Sequence, residues 1–190
     1  MKRSDLNRAY RQASACFAKH HWHLPPYSAW DITDFGLGDF KRHGLVLVNL
    51  ASEREYCEKL MYARRGQQTP CHAHRRKKED IICRVGRLRL RLWPRRPGGT
   101  VMPAFFSVQI NGRTRRLRSG RTITLEAGWR ITLLPGVWHE FSPTSRECII
   151  GEVSTVNDDV HDNFFLDPNI GRYPSVMEDA PVAVRLISES

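Results

Sequence analysis

The segment Arg87-Leu88-Arg89-Leu90-Arg91-Leu92 constrains the fold more than any other part of the chain. Successive side chains of a strand point to opposite faces, so this alternation puts three arginines on one face and three leucines on the other. It reads as a strand with one buried face and one cationic, solvated face. The runs LVLVNL, CEKLMYARR, EDIICRV, FFSVQI, TITLEA, RITLLP, FSP and CIIGEVS read as further strands from Gly44 onward. Gly66, Pro94, Gly98-Gly99, Asn111-Gly112, Gly120, Gly128 and Pro135-Gly136 punctuate them. Short strands with turns about every eight to twelve residues predict an all-β antiparallel sandwich or small barrel.

The first twenty residues read differently. Leu6, Ala9, Tyr10, Ala13 and Phe17 recur at helical spacing, with Ser4 as the expected N-cap and Asp5 after it. The stretch HHWHLPPYSAWDITDFGLGDF is broken by prolines and glycines and reads as a loop that packs through its aromatics, with a short helix before Gly36. VAVRLI near the C-terminus reads as one more strand, behind a polar tail over 157–174. The expected organisation is an N-terminal helical and loop segment, 1–43, packed on a single barrel domain, 44–190. A chain of 190 residues, 41% of them hydrophobic, suffices for one core. No window approaches 18 consecutive apolar residues, so no membrane partner is expected. The N-terminus lacks the apolar region of a secretory signal. Five cysteines without a CxxC pair point to a reducing, cytoplasmic setting.

The chain carries 30 Lys+Arg against 20 Asp+Glu, a net charge of +10. Between Arg75 and Arg130 there are 16 basic and 3 acidic residues, so the whole excess lies in one stretch. A basic stretch can serve an anionic partner such as nucleic acid. Here Arg87, Arg89 and Arg91 belong to one strand face, and the run Arg113–Arg121 follows Asn111-Gly112, a strong hairpin signal. With no RNP-like aromatic motif and no helix-turn-helix, the stretch reads as a solvated or assembly surface rather than a nucleic-acid face.

The chemistry concentrates in the segment from Gly66 to Gly86. In a strand, His72 and His74 share one face with Cα atoms about 7 Å apart, a spacing at which two imidazoles can grip one ion. Glu79 can return to that face after the Arg75-Arg76-Lys77-Lys78 connection, and His139, after Pro135-Gly136, offers a fourth ligand from a distant strand. Three neutral nitrogens and a carboxylate oxygen suit a divalent first-row metal with positions left open for substrate. HxH pairs are common in chains with eight histidines, so the pair alone would carry little. His20, His21, His23, His43 and His161 lack such partners and read as surface or packing residues.

The full spacing carries more. Gly66, five residues, His72-x-His74, four residues, Glu79, six residues and Gly86 resemble the first characteristic motif of the cupin superfamily, and Gly128 to His139 resembles the second. Gln68-Thr69-Pro70-x-His72-x-His74-x-x-Lys77-x-Glu79-Asp80-Ile81-Ile82 and Pro135-Gly136-x-x-His139-x-Phe141 are similar to the D-lyxose ketol-isomerase family of cupins. So are Glu58-Lys59, Gly151-Glu152-Val153-Ser154-x-Val156-Asn157-Asp158-Asp159-x-x-Asp162-Asn163, Arg172-Tyr173-Pro174 and Glu178-Asp179. The chain departs from the family pattern at Cys83-Arg84-Val85-Gly86, where the family carries an Asn and a glycine run, which implies a tighter turn.

The resemblance implies a cupin-type jelly-roll barrel with an N-terminal helical segment. It implies interconversion of D-lyxose and D-xylulose, and of D-mannose and D-fructose, through an enediolate. The usual metal is Mn²⁺, with Fe²⁺, Co²⁺ or Zn²⁺ as other first-row ions the ligands suit. For the proton transfers, Lys77, Glu152 and Asp158 are the candidates. A cation beside a metal is expected to have a depressed pKa. Glu152 follows an apolar pair, where a lone charge is costly, so it either does chemistry or pairs with an arginine. Lys77, Asp80, Arg172 and Glu178 are the substrate-binding candidates; Arg172 and Glu178 either close over the sugar or pin the tail to the barrel. Cupins commonly pair barrels, so a homodimer is expected. A dioxygenase using Fe²⁺ at the same ligands, or a non-catalytic sugar-binding cupin, are the competing readings.

Overall fold

The computed structural model describes residues 1–99, 101–155, 158, 161–170 and 175–189. Helix α1, Arg3–Lys19, buries Leu6, Ala9, Ala13, Cys16 and Phe17 along one side, as their spacing requires. It starts earlier than expected: Lys2, not Ser4, is the N-cap, and it makes no side-chain cap bond. The free N–H groups of the first turn find a partner from far along the chain. The Ser4 backbone N–H and hydroxyl donate to the two oxygens of Asp179, each at 2.8 Å.

Two antiparallel sheets follow, forming the cupin-type barrel. The larger uses β1 (Ala29–Thr33), β2 (Leu45–Ser52), β3 (Cys57–Arg64), β5 (Glu79–Val85), β7 (Phe105–Ile110), β8 (Arg113–Arg118), β10 (Arg130–Leu133) and β12 (Glu147–Ser154). Its order is β1-β2-β3-β12-β5-β10-β7-β8. The smaller uses β4 (His72–His74), β6 (Arg87–Trp93), β9 (Thr122–Glu126), β11 (Trp138–Pro143) and β13 (Asn163–Phe165), in the order β13-β4-β11-β6-β9. A four-residue helix α2, Phe40–His43, precedes β2, so the short helix comes after Gly36 rather than before it.

The larger sheet is buried on both faces where α1 covers it. Leu45, Met61, Ala63, Ile81, Cys83, Cys148 and Ile150 pack into the barrel with Leu88, Leu90 and Leu92. Val46, Val48, Leu60, Tyr62 and Ile149 pack outward against Leu6, Ala13 and Phe17 of α1. Residue parity therefore decides the compartment: in β3 and β12, positions that share parity with Met61 and Ile150 face the interior.

Three further sequence expectations need correction. Ala29–Thr33 is a strand, not a loop: it pairs with β2 in the register Trp30↔Val48, and Trp30 and Ile32 join the core under α1. The VAVRLI segment is not a strand. Asn7 of α1 takes up its backbone groups, donating to the Pro181 carbonyl at 2.7 Å and accepting from the Ala183 N–H at 3.1 Å. Leu186 then makes one isolated bridge to Trp30, and Ile187–Glu189 form a 3-10 turn. Within the supposed polar tail, Asn163–Phe165 is β13, paired with β4.

The turns behave as their residues dictate. Asn111 and Gly112 both have positive φ, 52° and 72°, the requirement of a two-residue hairpin between β7 and β8. Gly86 alone carries the chain from β5 in one sheet to β6 in the other. Its φ is 86°, and a Cβ there would meet the Glu147 carbonyl oxygen at 2.5 Å, so only glycine fits. The arginines fall where alternation puts them: Arg87, Arg89 and Arg91 outward, and the β8 arginines exposed on a sheet edge. Among the described residues, no helix is long and apolar enough to cross a membrane.

Candidate active site

Buried histidines and charged side chains gather at one place in the interior. His72 and His74 on β4 and His139 on β11 meet because β4 pairs with β11 directly at His72↔His139. Their ligand atoms all lie within 4.8 Å of one another. Donors about 2.0–2.2 Å from one ion are at most roughly 4.4 Å apart, so small side-chain movements close the set on a single ion.

The ring nitrogens are prepared for this. His72 Nδ1 donates to the Pro70 carbonyl at 2.8 Å and His139 Nδ1 to the Val137 carbonyl at 3.1 Å. Each proton is thereby fixed on Nδ1, which leaves Nε2 with its lone pair toward the interior. Burial, then the charges of His139 and His74, hold the His72 pKa well below its usual value, so the ring is neutral.

Glu79 on β5 faces the same point. Its Oε1 lies 3.0 Å from His139 Nε2 and its Oε2 lies 3.4 Å from His74 Nε2. With the His139 proton on Nδ1, two lone pairs face each other across the shorter gap, an arrangement that needs a cation between them. Consistently, both nitrogens of His74, His139 Nε2 and Glu79 Oε1 are buried without a hydrogen-bond partner. Orphaned buried acceptors are costly, and one nitrogen each from His74 and His139 with Glu79 Oε1, three such atoms gathered at one point, fit a divalent metal. His72, His74, Glu79 and His139 are the residues that could hold it.

Beside this cluster runs a buried chain of charges. Lys77 Nζ lies 2.9 Å from Glu79 Oε2 and 2.9 Å from Glu152 Oε1. Lys59 Nζ lies 3.9 Å from the same Glu152 oxygen. All four are buried. The depression expected of Lys77 belongs to a bound cation; the protein's own groups act the other way. Burial pulls it down, but Glu152 and Glu79 outweigh burial and hold it above the usual lysine value. Burial likewise pushes the Glu79 and Glu152 carboxyls up, but Lys77 together with His74 and His139 outweighs it at Glu79, and Lys77 together with Lys59 outweighs it at Glu152, so both sit below the usual range and stay ionised. Glu152 thus pairs with lysines, not with an arginine.

The loop that delivers Lys77 is held by Asp162, which is 3% exposed. Its two oxygens accept the N–H of Arg76 at 2.8 Å and of Lys77 at 3.0 Å, and its carbonyl accepts from the Arg75 N–H at 2.9 Å. Next to it, β13 lies along β4 with Asn163↔His74 in register, and the Phe165 ring sits 5.6 Å from the His72 ring.

Other candidates lie elsewhere. Asp80 follows Glu79 on a strand and so points to the opposite face, where it binds Arg130 and the Thr132 hydroxyl. Asp158 is partly exposed and bonds Arg76 and His161. Glu178 is exposed and forms a two-oxygen pair with the buried Arg3 of α1. It pins the tail to the helix rather than closing over the cluster. Arg172 and Asp159 lie outside the described residues. Lys59 was visible in sequence only as part of the Glu58-Lys59 match. The stronger signal is its parity with Met61 and Ala63 in an otherwise apolar strand.

The sequence model of the D-lyxose isomerase family matches residues 28–190. The chain is 34% identical to the D-lyxose/D-mannose isomerase of Escherichia coli O157:H7, over 100% of this chain and 98% of that protein. It is 33% identical to the D-lyxose/D-mannose isomerase of Serratia proteamaculans, over 95% of this chain and 94% of that one. Among solved structures, the L-ribose isomerase of Cellulomonas parahominis superposes with a TM-score of 0.70 at 18% identity, covering 93% of this chain and 98% of that chain. The L-ribose isomerase of Acinetobacter sp. DL28 in complex with L-ribose gives 0.70 at 16% identity with the same coverage. At such identities the structural likeness speaks for the fold alone.

Proposed function

Because the chain belongs to the D-lyxose isomerase family and is an aldose–ketose isomerase, we propose that it interconverts D-lyxose with D-xylulose and D-mannose with D-fructose. In this reading a divalent first-row metal, Mn²⁺ in the first instance, is held by His72, His74, Glu79 and His139. When bound, such an ion supplies Lewis acidity toward the oxygens on C1 and C2 of the sugar. The observation that carries the reading is the adjacency of two kinds of group: an imidazole and carboxylate set, and a buried ionised carboxylate bridged to it by one ammonium.

The chain's own residues then divide the work. Glu152 is the base: it takes the proton from C2 of the aldose and returns it to C1, while the hydroxyl proton on O2 passes to O1, giving the ketose through an enediolate. It is ionised and water-poor, and its lysine partners keep it so without occupying both oxygens in the contacts described. Lys77 keeps its proton and faces negative charge as it develops on the sugar oxygens, a preorganised donor in a low-dielectric site. Lys59 completes the positive wall on the other side of Glu152. A cytoplasmic homodimer belongs to the same reading, and light scattering tests the assembly.

The decisive assay measures ketose formation from D-lyxose and D-mannose with Mn²⁺, after EDTA, and after Mn²⁺ is restored. Activity should vanish and return. Glu152→Gln should lose about 10²–10⁴-fold in kcat while still binding Mn²⁺. Full activity of the EDTA-treated protein, or of Glu152→Gln, would refute the assignment.

A further inference from the structure

A cavity of 90 Å³ lies beside the charged cluster and meets it at Lys59, and its walls come from distant parts of the chain. One side is shared with the site. Lys59 lines the cavity and reaches Glu152, while Phe165 lines it and lies against His72. The rest of the lining is apolar at Phe35, Leu45, Leu47 and, from the C-terminal 3-10 turn, Ile187, and polar at Asp31, Thr33 and Asn49. The order of strands fixes which end is which. Glu152 on β12 neighbours Lys59 on β3, β3 neighbours β2, and β2 neighbours β1 at the sheet edge. Ile187 follows Leu186, which bridges Trp30 on β1. It therefore stands at the end of the cavity away from the reacting carbons.

We propose that Ile187 is the end stop of the sugar cavity and sets the preference between pentose and hexose substrates. This rests on the isomerase reading above and deepens it. D-Lyxose and D-mannose share their configuration from C2 to C4, and the hexose adds one CHOH unit at the end remote from C1. If the cavity is roughly spherical it is about 6 Å across, and at about 10–15 Å³ per water-sized group it holds about six to nine such groups. One added CHOH unit is a large fraction of that. Ile187 meets it with an aliphatic face, so the extra hydroxyl is desolvated against that side chain unless a polar neighbour such as Asp31, Thr33 or Asn49 turns to it.

The stop is held firmly. Leu186 is 3% exposed, and its N–H donates to Glu189 at 2.9 Å. The buried guanidinium of Arg3 binds Glu189 and Glu178 together. The N-terminal helix thus fixes the far wall of a cavity it does not line. Ile187 itself is only half-buried, so its substitution is compatible with folding.

The test is the ratio of kcat/KM for D-mannose to that for D-lyxose across Ile187→Val, Ile187→Ala and Ile187→Phe, measured with Mn²⁺. One CHOH unit against an apolar wall is worth about a tenfold change. The ratio should rise from Val to Ala, about tenfold in Ala, and fall by a similar factor in Phe. A purely structural role would lower both substrates together and leave the ratio unmoved. Ratios within about twofold of the unaltered protein in all three variants overturn the proposal. If the unaltered protein turns over neither sugar, the isomerase reading falls and the end stop with it.

Discussion

Lys77→Met removes the ammonium from the middle of the buried charge chain while keeping an unbranched stem in its place. In the unaltered protein that ammonium sits 2.9 Å from both Glu79 and Glu152, and the three side chains are between 2% and 8% exposed. Removing one partner of a buried pair and stranding the other costs about 3–5 kcal/mol. At about 2–4 °C per kcal/mol for a chain this long, the metal-free protein should lose roughly 6–20 °C in Tm at pH 7. The pH dependence carries the sharper test. The Glu152 pKa is lowered in the folded protein, so its pairing adds stability above the unfolded value of 4.5 and loses it as pH falls through the folded value. In Lys77→Met, burial is left to push the Glu152 carboxyl up, and protonation relieves the stranded charge in mild acid. The deficit between variant and parent should therefore be largest near pH 7 and shrink toward pH 4. Calorimetric melts of both proteins after EDTA treatment, at several pH values, measure this. A Tm loss under about 3 °C at pH 7, or a deficit that does not change between pH 7 and pH 4, refutes the account of Lys77 as the counter-ion of two buried carboxylates.

Two further outcomes follow from the same geometry. Asp162→Ala strips two backbone N–H groups of their acceptor, at about 1–3 kcal/mol each; kcat should fall more than KM rises, and the Arg76 and Lys77 amides should exchange faster by hydrogen-exchange NMR. Mn²⁺ at a hundred times its Kd should stabilise the unaltered protein by about 2.7 kcal/mol, and His72→Ala should abolish that shift in a thermal melt.

How much of this was written in the residues depends on which faces each strand buries. The β6 alternation and the Asn111-Gly112 turn were legible because one face is wet and one dry, which a period of two displays directly. The strand Ala29–Thr33 was hidden: it is short, flanked by Pro25-Pro26 and Gly36, and its partner helix supplies the reason for burying Trp30 and Ile32. Ser4 looked like a cap because the composition was right, but the acceptor its first turn uses is Asp179, far along the chain. The metal-type set was legible because its members are rare residue types at fixed spacing. Lys59 was not, since a lysine gains meaning only from the compartment its parity selects. Asp80 fails by the same rule, one position past Glu79 and so on the wrong side of the sheet.

The sheet that serves two cores also sets where the gene can tolerate changes in length. Deleting one residue from β3 would turn Leu60 toward the charged cluster and Lys59 toward Phe17 and Tyr62's side of the sheet, so a single codon would damage the reaction chamber and the helix seat together. The same event in the exposed Gly98-Gly99 connection touches neither. By this reasoning, insertions and deletions are confined to the exposed connections between strands. A change of loop length, rather than of strand length, is the one this chain can absorb while keeping both cores in register.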